Sequence, residues 1–232
     1  MTYREGPTAV PGVVLWSREA DSVATGTRIL PDGCLDVLWD GVCLLVAGPD
    51  TRARWHDSPT PTSYVALRLS AGTGPALLGV PAAELRDRTV RLEDLWPSGV
   101  VRRLTEHVAS GPVEALQAWA RDRAHACPTD PLGPDLLALA SVGLPVAAMA
   151  ARLGLSTRQL DRRSLALFGY GPRHLTRVLR LGRALDDARR GTPLSRVAID
   201  AGYADQAHFS RDTSDLAGTS PTRLLSERRL AV

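Results

Sequence analysis

The stretch "VAIDAGYADQAHFSRDTSDLAGTSP" (197–221) decides how the C-terminal third of this chain folds. A short apolar run is followed by a glycine, then by a polar run that opens with Asp205, and finally by Gly-x-x-Pro. Asp205 is a favoured helix N-cap, and Phe209 is an apolar residue between polar neighbours. The pattern predicts two helices joined by a tight turn, with Arg211 in the middle of the second helix.

The same pattern occurs once before, in "VAAMAARLGLSTRQLDRRSLALFGYGP" (146–172). Gly154 and Gly202 lie 48 positions apart, and one inserted residue sets the later matches 49 positions apart. These later matches pair Leu160 with Phe209, Arg162 with Arg211, Gly169 with Gly218 and Pro172 with Pro221. The chain therefore uses one structural unit twice.

A short helix, a glycine turn and a second helix form the helix-turn-helix pattern, whose second helix enters the DNA major groove. In the first unit, apolar residues of the first helix are expected to pack against Leu160 and Leu167; they are Val146, Met149, Ala150 and Leu153. The polar residues of the two second helices are then free to contact DNA. They are Arg158, Gln159, Asp161, Arg162 and Arg163, after the N-cap Ser156, and Gln206, His208 and Arg211, after Asp205.

The stretch 172–190 predicts one amphipathic helix between the two units, because Pro172 stands at a first-turn position. Such a helix is about 28 Å long, which suits two recognition helices about 34 Å, or one DNA turn, apart.

Charge is unevenly distributed along the chain. Residues 1–131 carry 13 arginines and 16 acidic residues, a balance of −3, whereas residues 132–232 carry 15 arginines and 9 acidic residues, a balance of +6. The chain has no lysine, which fits the codon usage of a GC-rich genome. The segregation itself indicates a polyanion-binding module in the C-terminal part.

The C-terminal hundred residues resemble the DNA-binding domain of the AraC/XylS family of bacterial transcription regulators. The resemblance lies in "FGYGPRHL", "RVLRLGRAL" and "VAIDAGYADQAHFSRDTSDLAGTSPTRLL". It implies a seven-helix domain with two helix-turn-helix motifs in adjacent major-groove segments. Carried over by position, it gives as base-contacting candidates Arg158, Asp161 and Arg162, and Gln206, Ala207 and Arg211. Asp161 either accepts from cytosine or orients its arginine neighbours, the latter being favoured, and His208 either contacts phosphate or packs.

Two positions depart from the family pattern. The family usually has phenylalanine late in each recognition helix, where this chain has Ser164 and Thr213. Each change forgoes apolar burial of a few kcal/mol, about 25 cal/mol per Å². Either neighbours such as Leu165, Phe168 and Leu216 compensate, or these helices pack differently.

The first 70 residues or so predict strands, clearest at 12–17, 34–39, 42–48 and 63–70, with Asp40-Gly41 as a hairpin turn. From about Pro81 the pattern becomes helical. The family usually places an effector-binding or dimerisation domain here, often a cupin-like barrel. Among the tryptophans of this half, Trp16, Trp39 and Trp55 are candidates to line an apolar pocket, although ordinary core is favoured for tryptophans here.

The predicted fold class is α+β: a β-rich N-terminal domain with helices at 1–126, a linker at 127–134, and an all-α domain with two helix-turn-helix motifs at 135–232. "CPTDPLGP" marks the linker, since it holds three prolines and a glycine.

We therefore expect a cytoplasmic regulator that binds double-stranded DNA and is controlled by a small-molecule effector in its N-terminal domain. The alternative is a ligand-independent regulator whose N-terminal domain only dimerises or binds protein. Candidate partners include a second copy of the chain and, for an activator, RNA polymerase; no membrane is expected, since no apolar run reaches about 20 residues. No catalytic residue, metal or cofactor is predicted. A remote alternative, repair of alkylated DNA by a zinc-held cysteine, needs more clustered cysteines than Cys34, Cys43 and Cys127 supply.

Overall fold

The computed structural model describes residues 2–20, 24–58, 62–227 and 230–231. Strands occupy most of the first 70 residues, and two short strands follow later. The strands are β1 (Thr2–Pro7), β2 (Val13–Ala20), β3 (Ala24–Ile29), β4 (Leu35–Trp39), β5 (Leu44–Ala47), β6 (Arg54–Ser58), β7 (Thr62–Leu69), β8 (Thr89–Arg91) and β9 (Leu230–Ala231).

Helices make up the rest of the described chain. The N-terminal half has α1 (Gly74–Leu78), α2 (Ala82–Leu85), α3 (Ser98–Ser110) and α4 (Pro112–Ala126), with a 3₁₀ turn at Leu92–Asp94. The C-terminal part has α5 (Leu132–Ser141), α6 (Val146–Arg152), α7 (Thr157–Phe168), α8 (Pro172–Arg189), α9 (Leu194–Asp200), α10 (Gln206–Ala217) and α11 (Pro221–Ser226). Within the described ranges, none of these helices combines the length and apolarity needed to cross a bilayer.

The strands pair into two sheets. Six strands form an antiparallel sheet in the order β1-β2-β7-β4-β5-β8, and three form a second sheet in the order β6-β3-β9. The predicted hairpin is confirmed, since β4 and β5 pair across Asp40-Gly41 with Leu38 opposite Leu45. Together with the helical C-terminal part, this confirms the α+β class.

Strands β2, β4, β5 and β7 of the large sheet have one face toward helices and one toward a cavity. In β4, Leu35, Val37 and Trp39 are buried in a core shared with α1–α4, while Asp36 and Leu38 line the cavity. This alternation follows from the two-residue period of a strand.

Three apolar clusters hold the described chain together. One is formed by N-terminal residues between Val10 and Ala120, and two are built on the helical part, around α6–α7 and around α9–α10. The α9–α10 cluster also includes Leu30, and Ala71 packs on the other, so the N-terminal half contacts both. Helix α4 ends at Ala126 and α5 begins within the predicted linker; the proposed domain boundaries stay a prediction.

Candidate nucleic-acid interface and cavity

The two predicted helix-turn-helix units have equivalent turns. Gly154 and Gly202 both have positive φ, +66° and +83°, in the left-handed region that favours glycine. In both units the residue after the glycine donates its N–H to the carbonyl five positions earlier, at 2.9 Å in the first unit and 2.8 Å in the second. The 48-residue offset read from the sequence is thus a repeat of backbone geometry.

The second helix of each unit begins at its predicted cap. Ser156 Oγ accepts from the N–H of Gln159 at 3.2 Å, and the Gln159 side chain accepts from the Ser156 N–H at 2.9 Å, which completes a capping box. Asp205 accepts from the N–H of His208 at 2.6 Å. Helices α7 and α10 therefore start at fixed positions relative to α6 and α9.

The expected anchors are buried. Leu160 and Phe209 are each 0% exposed, in the first and second unit respectively. The remaining apolar residues predicted to join α6 to α7 belong to the Leu160 cluster or pack against it; they are Val146, Met149, Ala150, Leu153 and Leu167. Both second helices end in a left-handed glycine, Gly169 and Gly218.

Six candidate base-contacting residues are exposed: Arg158, Asp161, Arg162, Gln206, Ala207 and Arg211. Within residues 2–20, 24–58, 62–227 and 230–231, no ion pair engages the three arginines of this set, although many other arginines are paired. An exposed guanidinium without a carboxylate partner keeps its donors available for phosphate or a base edge.

Three candidates contact other parts of the protein or lie close to them: Arg163, His208 and the exposed Asp161. Arg163 is half-buried and pairs with Asp130 at 2.5 Å. His208 is also half-buried; its ring packs edge-on against Tyr203 at 5.2 Å between centroids. Asp161 Oδ1 lies 2.6 Å from where a Cβ on Gly171 would be, at the start of α8.

Both departures from the family pattern are buried hydroxyls. Ser164 Oγ donates to the carbonyl of Tyr170 at 2.7 Å, whereas Thr213 Oγ1 donates to the carbonyl of Phe209 within its own helix at 2.8 Å. Phe168 and Leu216, two of the proposed compensating residues, are 0% exposed, and the third, Leu165, is half-buried. The helices thus keep their apolar packing without the late phenylalanines.

Sequence reasoning missed a buried ionic network in the second unit. Asp212 is 6% exposed and accepts hydrogen bonds from Arg177, Arg180 and Tyr203, at 2.8, 3.2 and 3.1 Å. Arg177 also binds Asp215, and this hydrogen bond is the main cause that holds the pKa of the Asp215 carboxyl below its ordinary value. A signal was available, because the position equivalent to Asp212 is Arg163, a residue of opposite charge.

A cavity of about 710 Å³ is lined by side chains of both sheets. Of the tryptophan candidates, Trp16 lines it; Trp39 is 8% exposed in the helix-covered core, and Trp55 is 55% exposed under the guanidinium of Arg28. The large sheet's alternation explains this division, since Trp16 and Trp39 occupy opposite faces.

The cavity wall is polar at one end. Trp16 Nε1 donates to Asp36 Oδ1 at 2.7 Å, and the Arg68 guanidinium lies 3.6 Å from Asp36 and 3.9 Å from Asp32. Burial raises the pKa of the Asp36 carboxyl and, elsewhere on the wall, raises the pKa of Asp50 to about 6. Burial is the main cause of both shifts, and each of these carboxylates already has a guanidinium partner, Arg68 for Asp36 and Arg54 for Asp50.

The C-terminal helices also reach the cavity. Arg189 at the end of α8, together with Leu225 and Glu227 in and just after α11, contributes to the lining. Glu227 receives two hydrogen bonds from Arg28, both 2.9 Å long. Sequence patterns carry no signal for these contacts, because they join residues almost 200 positions apart.

Two family models match separate parts of the chain. Residues 149–227 match the family model described as a helix-turn-helix domain, and residues 13–91 match a domain of unknown function (DUF6597). No curated protein shows significant sequence similarity to the chain.

Several solved structures are similar to the chain. ToxT from Vibrio cholerae is 11% identical over 96% of each chain, with a TM-score of 0.45. The same protein with an unsaturated fatty acid bound is 11% identical over 92% of this chain and 94% of that one, also with a TM-score of 0.45. A probable AraC family transcriptional regulator from Rhodopseudomonas palustris is 21% identical over 41% of this chain and 95% of its own, with a TM-score of 0.36.

Proposed function

The chain carries a C-terminal helix-turn-helix domain of the AraC type behind a domain of unknown function, and from this premise we propose that it is a sequence-specific DNA-binding transcription regulator. The observation that carries the proposal is the repeated unit, whose two second helices expose the equivalent arginines Arg162 and Arg211 without ion pairs in the described ranges. Helices α7 and α10 are the recognition helices, each reading one major-groove segment.

The exposed residues divide by chemistry. Arg158, Arg162 and Arg211 can each donate to the O6 and N7 of guanine, and Gln206 can pair with adenine. Ala207 offers a methyl group to thymine. Helix α8 has 18 residues and is therefore about 27 Å long, which suits reading positions one DNA turn apart.

Three of the candidates, Arg163, His208 and Asp161, contact phosphate or the protein rather than base edges. Arg163 pairs with Asp130 and is partly exposed, so that it can contact phosphate only from the edge of α7. His208 packs on Tyr203 and sits at the N-terminus of α10, where a phosphate would be favoured. Asp161 orients α7 against the start of α8, as its closeness to Gly171 supports.

The cavity in the N-terminal half is the proposed effector site. Its volume of about 710 Å³ lies within the range of about 300–1,000 Å³ typical of small-molecule pockets. It combines an aromatic wall at Trp16 with buried carboxylates, and residues of α8 and α11 contribute to it. A bound effector therefore has a direct route to the DNA-binding part.

Cysteine chemistry has little support. The pKa of the Cys34 thiol is raised well above its ordinary value by burial and by Asp32, which makes it a poor nucleophile. In the part of the chain that the structure describes, no group of three or more metal-ligating side chains is assembled. The regulator therefore remains the proposal.

Selection of bound sequences from a random duplex pool, with the full-length protein, tests the DNA-binding proposal. We expect enrichment of one asymmetric motif of about 20 base pairs, since two adjacent turns are read. Binding that is salt-sensitive but equally tight on every sequence would contradict it, because phosphate contacts alone carry no sequence information.

A thermal-shift screen with small molecules tests the effector proposal. An effector that binds the folded protein raises the melting temperature as its concentration increases. A compound whose shift disappears in Trp16→Ala, while the variant keeps its melting transition, is bound in the cavity; a shift that persists there places the compound elsewhere.

A further inference from the structure

The chain between β5 and β6 has one side on the cavity and the other on the helical part. This stretch, residues 47–54, is here named the bridging segment. Four of its residues line the cavity: Ala47, Gly48, Asp50 and Arg54. Asp50 and Arg54 form an ion pair at 3.3 Å on that wall. A molecule in the cavity therefore contacts the bridging segment directly.

The other side of the segment contacts the first recognition helix at its end. Pro49 packs on Gly169, the C-cap of α7, so closely that a Cβ there would lie 2.6 Å from the proline ring. Arg86, the residue that follows α2, donates to the Gly169 carbonyl at 3.3 Å. Burial lowers the pKa of His174 in the first turn of α8, and the backbone of Thr51 opposes part of that shift, so Thr51 lies beside this ring.

The same side also contacts the second recognition helix. The Ala53 N–H donates to the carbonyl of Leu216 at 2.6 Å, and Arg52 pairs with Asp215 at 3.0 Å. Asp215 in turn binds Arg177 of α8. Pro49, Arg52 and Ala53 thus contact the ends of both recognition helices, and Thr51 lies beside the helix between them.

The bridging segment is fixed to its own half, so that it moves as a unit. Gly48 admits no side chain, because a Cβ there would lie 1.7 Å from the carbonyl oxygen of Leu85. The Thr51 N–H donates to Asp87 Oδ1 at 2.6 Å, and the Asp87 N–H donates to the Pro49 carbonyl at 3.1 Å. A shift at the cavity wall is therefore transmitted along the segment rather than absorbed by it.

We propose that the bridging segment transmits occupancy of the cavity to the relative position of the two recognition helices. This rests on the proposed function, since it assigns a route to the regulation proposed there. Each unit has its own apolar cluster, so the units can shift relative to one another without losing their cores. If the two units have two relative positions, a ligand shifts the equilibrium between them by the difference in its affinity for each.

A double-mutant cycle on the full-length protein tests the route without a known effector. Ala47→Phe places a ring in the cavity as a stand-in for a ligand, and Ala47→Leu repeats the test with a smaller group. Arg52→Glu turns the contact with Asp215 into a repulsion; reversal is preferred because losing an exposed ion pair has little effect. The measurement is the Kd for the selected operator.

We expect Ala47→Phe to change operator affinity by about fivefold or more in the parent, the usual lower limit of allosteric coupling. In the Arg52→Glu background the same substitution is expected to change it less than about twofold. Arg91→Glu is the matched control, since Arg91 is an exposed arginine paired with Glu93 and gives the same change in charge. In the Arg91→Glu background, and in the conservative Arg52→Lys background, Ala47→Phe is expected to change operator affinity as much as it does in the parent.

The outcomes separate the two proposals. If the parent shows no preference for any operator, the proposed function fails. If the parent is selective, but the effects of Ala47→Phe and Arg52→Glu are additive or folded Ala47 variants bind like the parent, only the route through the bridging segment is wrong. Should Ala47→Phe lack a cooperative melting transition, Ala47→Leu decides by the same criteria.

Discussion

Positions 163 and 212 are equivalent in the two helix-turn-helix units, yet they hold α7 and α10 in opposite ways. Arg163 lies half-buried at the edge of α7 and pairs with Asp130, outside its own unit. Asp212 is buried inside the second unit and binds two arginines of α8 and the hydroxyl of Tyr203. The first recognition helix is held mainly by apolar packing, the second by packing and a buried ionic network.

The difference shows which parts of a repeated unit are constrained by its backbone and which are not. The left-handed glycines, the N-caps and the buried anchors recur in both units because the turn and the helix starts require them. Within the described ranges, the ion pairs that join α10 to α8 through Asp212 have no counterpart at Arg163, the equivalent position of the first unit. Asp215 extends that network to Arg52, so the N-terminal half contacts the second unit through an ion pair, whereas it contacts the end of α7 through Pro49 and Gly169.

The largest effect is expected from breaking the buried network. Asp212→Ala leaves Arg177 and Arg180 without their shared carboxylate and is expected to destabilise the protein by about 3–5 kcal/mol. Arg163→Ala, the equivalent change in the first unit, breaks a partly exposed pair and is expected to cost less than about 1 kcal/mol. Urea unfolding measures the stability that each variant loses. Equal losses would contradict the difference between the two units.

Loss of the equivalent exposed arginines tests recognition rather than stability. Arg162→Ala and Arg211→Ala are each expected to weaken operator binding by about 1–3 kcal/mol while leaving the melting temperature unchanged. Fluorescence anisotropy with the selected operator measures both. If both variants bind as tightly as the parent, α7 and α10 are not the groove-reading helices.

The two buried hydroxyls sharpen the comparison on a smaller scale. Ser164→Ala is expected to cost about 1–2 kcal/mol, because the Tyr170 carbonyl loses its partner. Thr213→Val keeps the shape of the side chain, and the Phe209 carbonyl still accepts a backbone hydrogen bond within α10. We therefore expect a loss of less than about 0.5 kcal/mol in the free energy of unfolding. A cost for Thr213→Val as large as that for Ser164→Ala would show that the two hydroxyls are equivalent.

The smallest effect concerns the pH dependence of the second unit. The pKa of Asp215 is lowered in the folded protein, chiefly by its hydrogen bond with Arg177, so its contribution to stability is present above its unfolded pKa. That contribution is lost as the pH falls through the lowered folded value. The parent is expected to melt above Asp215→Asn at about pH 6, with the difference closing toward about pH 3. Asp161→Asn, on the exposed face of α7, serves as the control. If its melting temperature differs from that of the parent with the same pH dependence, the effect of Asp215 does not come from the network.

The sequence was sufficient where the pattern is local. Ser156 and Asp205 as caps, the two glycine turns and the Asp40-Gly41 hairpin all follow from preferences of a few neighbouring residues. Strands β1, β3 and β6 lie in the region predicted to be β-structure but were not singled out, because their sequences lack the regular apolar alternation of β4 and β5. The packing of α7 and α10 without the family's phenylalanines also needed the structure, since it depends on neighbours such as Phe168.

The cavity and the bridging segment lie beyond local patterns. Trp16, Trp39 and Trp55 looked alike in the sequence, and only the pairing of strands separates the one that lines the cavity from the other two. Likewise, nothing in the residues 47–54 indicates that Arg52 pairs with a residue 163 positions later. Long-range contacts of this kind follow from tertiary packing, which no short window of sequence specifies.

Whether one chain reads DNA with both helices is decided by footprinting the full-length protein on its selected operator, with Arg162→Ala and Arg211→Ala beside the parent. We expect two protected major-groove segments about one turn, or 10–10.5 base pairs, apart. We also expect each variant to lose base selectivity in a different one of them. A single protected segment, or the same segment weakened in both variants, would contradict a regulator that reads DNA with two helices on one chain.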